Sequence, residues 1–142
     1  MRFWDSSAIV PLLVEEPRSL RCRLLLRADP KVVVWCLTRT ECISAIRRQV
    51  RESGLSEASA RKAEDRLEKH ARRWSEVDAV GPVRESAERL LRLHPLRAAD
   101  ALQLAAALFV VEGRARRRQF VALDEALSSA ADREGFDVVG TG

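Results

Sequence analysis

Apolar residues along this chain fall into short continuous runs, separated by longer stretches in which they recur every three or four positions. That alternation predicts strands interleaved with amphipathic helices. The opening run, Met1 to Trp4, ends at Asp5-Ser6-Ser7, after which Ile9, Leu12 and Leu13 begin a helical stripe. Pro17 to Ala28 carries Leu20, Leu24 and Leu25 among arginines, an amphipathic helix with a solvated basic face. Lys31 to Cys36 is an unbroken run rich in valine, as in a parallel strand covered on both faces. From Thr38 the stripe Cys42, Ile43, Ala45, Ile46 and Val50 runs to Gly54, and Ser56 caps a further helix with Ala63, Leu67, Ala71 and Trp74 on one side.

Glu76 to Val80 reads as a short strand, and Pro82 opens a helix through Val83, Ala87, Leu90 and Leu91 that His94-Pro95 ends. Beyond it, Ala101 to Leu108 is apolar nearly all round, so this helix belongs in the core. Gln119 to Leu123 predicts a strand, Asp124 a cap for the helix Glu125 to Glu134, Gly135 its end, and Phe136 to Val139 a last strand. The order implies an α/β fold with a central parallel sheet of four to five strands between helical layers. At 142 residues the chain reads as one domain, 1–142.

Composition adds exclusions. The three cysteines, Cys22, Cys36 and Cys42, have no ligand spacing, so they read as reduced thiols in a cytoplasmic protein rather than a zinc site. His70 has no partner at ligand spacing and reads as a packing or surface residue. No leader pattern and no membrane-length apolar run is present. The net charge is +4, and of 25 basic residues only Lys31, Lys62 and Lys69 are lysine. Arginine suits phosphate. Arg114, Arg116, Arg117 and Arg118 form a basic turn, either merely solvated or a phosphate-contacting rim, with Arg97 as a further candidate.

Four acids carry the candidate chemistry. Asp5, Glu41, Asp100 and Asp124 each fall where a strand ends or a helix begins. Each has a bland explanation as a cap or a complement to the helix dipole. Thr38 and Glu41, for instance, have the spacing of a capping box, in which Glu41 reaches back to the Thr38 amide. In a parallel sheet, however, strand C-termini and the following helix N-termini share one edge, so the four carboxylates could converge there. Together they would repel one another unless neutralised by Arg97 or by a hard divalent cation such as Mg²⁺ or Mn²⁺.

Taken in order, Phe3-Trp4-Asp5-Ser6-Ser7-Ala8, Thr40-Glu41, Arg97 to Ala105 around Asp100, and Phe120 to Asp124 with Ala130-Ala131 and Gly135 behind make a chain that resembles the PIN-domain ribonucleases. In size it is similar to the VapC toxins of type II toxin–antitoxin systems. The resemblance implies a three-layer α/β/α domain whose metal-site acids are Asp5, Glu41, Asp100 and Asp124, with Ser6 helping to position water or phosphate. It further implies Mg²⁺-dependent hydrolysis of RNA, with Mn²⁺ as a substitute, leaving a 5′-phosphate and a 3′-hydroxyl. Expected partners are RNA, a cognate antitoxin and a second copy in a homodimer. The apolar helix after Asp5 and the Arg18 to Arg27 helix are the candidate surfaces for these proteins. The alternatives are a housekeeping RNA-processing nuclease and a noncatalytic RNA-binding module. A phosphate-accepting receiver domain fits poorly, because that design adds a strand-end lysine to neutralise phosphate and none of the three lysines lies suitably.

Overall fold

The computed structural model describes residues 1–141. Five parallel strands form one sheet in the order β3-β2-β1-β4-β5: β1 (Arg2–Trp4), β2 (Val32–Trp35), β3 (Ser75–Val77), β4 (Gln119–Val121) and β5 (Asp137–Val139). Seven helices lie between them among the described residues: α1 (Ser6–Leu13), α2 (Ser19–Ala28), α3 (Thr38–Glu52), α4 (Glu57–Ala71), α5 (Val80–Leu93), α6 (Ala98–Val110) and α7 (Glu125–Arg133). This is the expected three-layer α/β/α architecture.

Successive residues of each strand point to opposite faces, and the sheet accordingly separates two cores. Trp4, Val34 and Val121 pack with α1 to α4, around Ile9, Leu13, Cys22, Ile46 and Leu67. Phe3, Val33, Trp35 and Phe120 pack with α5 to α7, around Leu90, Leu104 and Leu127. Phe3 stacks on Phe120 at 5.5 Å, and Phe120 meets Phe136 at 5.6 Å. Burial on both faces is why the strands read as continuous apolar runs.

Some expected boundaries move. Helix α4 stops at Ala71, so Trp74 lies in the link to β3, where it is still buried and donates from Nε1 to Glu76 Oε1 at 3.2 Å. Strand β3 starts at Ser75 and gives way after Val77, because α5 opens at Val80, two residues before Pro82. A proline in the first helical turn has no amide to lose there, so it does not mark the first residue. The thiols of Cys22 and Cys42 are buried, Cys36 is half-buried, and all three are free. Among the described residues no helix is long and apolar enough to cross a membrane.

The chain builds β1, β2 and β3 outward on one side, then crosses back to lay β4 against the other side of β1. The connections therefore leave β1 and β4 in opposite directions. In an open parallel sheet that reversal leaves a crevice beyond the strand C-termini. Asp5 follows β1 directly, and Asp124 comes three residues after β4.

Phe120 is the aromatic that joins β1, β4 and the approach to β5. Phe120→Ala is expected to cost about 3–5 kcal/mol of folding stability, read as a lower midpoint in urea unfolding; a loss below about 1 kcal/mol would mean this core does not depend on the aromatic stack.

Candidate active site

The site starts from how β1 ends. The Asp5 amide donates to the Val121 carbonyl at 2.9 Å, joining the end of β1 to that of β4. The Asp5 carboxylate turns back and accepts from the Ser7 amide at 3.0 Å, capping α1 while only 3 % exposed. Ser7 Oγ in turn accepts from the Leu123 amide at 2.9 Å, tying the first turn of α1 to the segment that carries Asp124. Cap and candidate site are thus one arrangement at Asp5.

At Glu41 the two readings of the sequence are resolved. Helix α3 begins at Thr38 with Leu37 as its N-cap, and no side chain caps it. Glu41 does not fold back on the Thr38 amide. Its Oε2 accepts from Ser6 Oγ at 3.2 Å and its Oε1 from Gln103 Nε2 at 2.8 Å. Gln103 Nε2 also donates to Thr38 Oγ1 at 3.0 Å. Asp100 is half-buried in the first turn of α6. Asp124 is exposed, and caps α7 by accepting from the Leu127 amide at 2.8 Å.

Electrostatics links the four acids. Burial pushes the Asp5 carboxyl up to about 7, against the pull of the Ser7 donors, and the charges of Glu41 and Asp100 add to the rise. Burial raises Glu41 too, opposed by its Gln103 and Ser6 donors and reinforced by Asp100. Asp100 is raised by burial and then by Asp124, while Arg97 opposes the shift. Carboxylates brought together out of water disfavour one another's charged forms. Arg97, the N-cap residue of α6, is the predicted arginine whose charge reaches the cluster. Arg114, Arg116, Arg117 and Arg118 are exposed in the turn between α6 and the start of β4, at the opposite edge of the sheet from the acids.

The donor set is all oxygen, which suits a hard cation in kind. Among the described residues, however, no group of three or more His, Cys, Asp or Glu side chains is arranged so that it could hold a metal ion. A groove of about 880 Å³ beside β3, α5 and α6, lined by Val77, Ser86 and Phe109 among others, contains none of the four acids. The candidate chemistry therefore lies outside that groove.

Gln103 and Ser7 were not anticipated as parts of this site. Gln103 had a visible signal, an amide in the middle of an otherwise apolar helix. Ser7 had none beyond its place next to Asp5.

A family model described as "PIN domain" matches residues 2–133. The chain belongs to the PIN domain family. PIN domains are in general nucleases, so membership supports a hydrolase acting on nucleic acid. This PIN domain is similar to the crystal structure of PAE2754 from Pyrobaculum aerophilum, with 18% identity, a TM-score of 0.68, and coverage of 97% of this chain and 88% of that one. At that identity the likeness concerns the fold alone. A comparison with curated proteins found no match.

The raised Asp5 value sets a sign for pH dependence. A carboxyl with a folded value near 7 against an ordinary 3.8 holds its proton more tightly folded than unfolded. Its contribution to stability is full below about 4 and is lost as pH rises through about 7. Asparagine caps a helix as well as aspartate does, so Asp5→Asn removes the charge and keeps the cap. In chelator, Asp5→Asn is expected to gain on wild type between pH 4 and 8, by on the order of 3–4 kcal/mol in urea unfolding. A difference that does not change with pH would mean Asp5 is not desolvated as described.

Proposed function

We propose that this PIN domain is a metal-dependent ribonuclease of the toxin type, hydrolysing RNA phosphodiester bonds and held inactive by a cognate antitoxin. The observation that carries the reading is the placement of four acids beyond the ends of β1 and β4: Asp5 and Asp124 capping α1 and α7, Asp100 in the first turn of α6, and Glu41 bonded to Ser6 next to Asp5. Such a cluster favours any ligand that cancels its charge. Asp5, Glu41, Asp100 and Asp124 would hold Mg²⁺, or Mn²⁺ in its place. When bound, the cation would supply Lewis-acid stabilisation of phosphate charge and ease deprotonation of water.

The chain's own groups account for the rest. Ser6 orients Glu41 through its hydroxyl and stands at the cluster, where phosphate or water would approach. Arg97, exposed at the N-terminus of α6, would meet an RNA phosphate beside Asp100. The Arg114 to Arg118 turn, at the far edge, would contact only a distant part of a long RNA.

Of the two helices expected to meet an antitoxin or a second copy, α1 buries Ala8, Ile9, Val10, Pro11 and Leu13. Helix α2 instead exposes Leu20 and Leu24, one turn apart, at 61% and 53%. Of these two helices, α2 is the one that would offer apolar surface to a protein partner. Arg18, just ahead of α2, donates to the Leu123 carbonyl at 3.3 Å, so a partner on this helix would adjoin the acids.

The test is incubation of a mixed RNA pool with purified protein, with Mg²⁺, with Mn²⁺ and with chelator. Fragments ending in 5′-phosphate and 3′-hydroxyl are expected only with metal, and Asp5→Asn is expected to slow their formation by about 100-fold or more. RNA binding with no cleavage at either metal would favour the noncatalytic module. Cleavage without growth arrest on expression in bacteria would favour a housekeeping nuclease.

A further inference from the structure

Gln103 lies one turn beyond Asp100 in α6 and is fully buried, with Ala101, Leu104, Ala105 and Ala106 buried about it. Its Nε2 reaches across to α3 and donates to both Thr38 Oγ1 and Glu41 Oε1, at 3.0 and 2.8 Å. Its Oε1 is buried with no hydrogen-bond partner. A buried amide that leaves its carbonyl unpaired costs free energy that an apolar side chain would not. Fold stability alone is therefore a poor reason for glutamine here.

The two groups that Gln103 grips are those whose spacing would otherwise make a capping box. Free of Gln103, Glu41 could return to the unpaired amides at the start of α3, where an acid is favoured by both hydrogen bonding and the helix dipole. With the Gln103 amide donating to both Thr38 Oγ1 and Glu41 Oε1, the carboxylate is held with Oε2 toward Ser6.

We propose that Gln103 is a positioning residue, which holds the Glu41 carboxylate in the acid cluster rather than on the α3 N-terminus and couples the helix bearing Asp100 to the helix bearing Glu41. The inference rests on the reading of the cluster as a metal site. It assigns Gln103 no contact with substrate or metal; its effect passes through Glu41.

The experiment is calorimetric titration of Mn²⁺ into the full chain without RNA, for wild type, Gln103→Met, Glu41→Gln and the double variant, each shown to be folded by circular dichroism. Methionine keeps the length of glutamine without its donors. Gln103→Met is expected to weaken Mn²⁺ binding about tenfold, the lower end of the usual range for removing a partner of a metal-ligating side chain. In the Glu41→Gln background the same change is expected to add nothing. Should Gln103→Met not fold, Gln103→Glu, which keeps the shape and replaces the donor by an acceptor, is expected to weaken binding at least as much.

Wild-type binding with undiminished affinity in the Gln103 variants would overturn the positioning role and leave the metal site standing. An equal loss in the Glu41→Gln background would overturn action through Glu41. Absence of Mn²⁺ binding by wild type would overturn the metal site itself, and this inference with it.

Discussion

The structure turns on the cost of taking carboxylates out of water at one end of a parallel sheet. Asp5 is nearly inaccessible, and its charge is opposed by burial and by its neighbours Glu41 and Asp100. Nothing in the packing of two apolar cores requires such a group at the end of the central strand. Donors are arranged around three of the four acids: the Ser7 amide at Asp5, Ser6 and Gln103 at Glu41, the Leu127 amide at Asp124. Those bonds offset part of the desolvation, and the remainder shows as the upward shift of Asp5, Glu41 and Asp100.

Two of the four acids are also helix caps. Asp5 and Asp124 each accept from an amide in the first turn of the helix that follows them, as their sequence positions suggested, and each is within electrostatic reach of Asp100. Glu41 departs from this. Its capping geometry was available along the chain, yet its oxygens go to Ser6 and Gln103, residues 35 and 62 positions away. A local signal was overridden by two long-range donors, one at each carboxylate oxygen.

Much of the fold was legible. Valine-rich and aromatic runs marked the strands, three-to-four spacing marked the helices, and the nearly all-apolar stretch from Ala101 to Leu108 is buried except at Leu102, which is half-buried. The misplaced edges, at Trp74, Ser75 and Val80, lie where a helix turns into a strand and back within a few residues. There side-chain period is too short to distinguish the two, and tertiary pairing with β2 fixes the register instead. The order of strands was not legible, nor was the exposure of α2 against the burial of α1, since amphipathic spacing shows that a face exists and not what covers it.

By itself, the sequence determined the kinds of group available: four acids at element boundaries, no histidine or cysteine ligand set, an arginine-rich surface, and strands apolar enough to be covered on both sides. Those follow from residue identity and local period. Only the tertiary structure decided that β4 returns beside β1, bringing Asp5 and Asp124 to one crevice. It alone swung Glu41 away from its own helix onto Gln103, and set the Arg114 to Arg118 turn at the opposite edge from the acids. The physical reason is that strand order and side-chain direction depend on contacts between residues far apart in the chain, and local pattern carries no record of them.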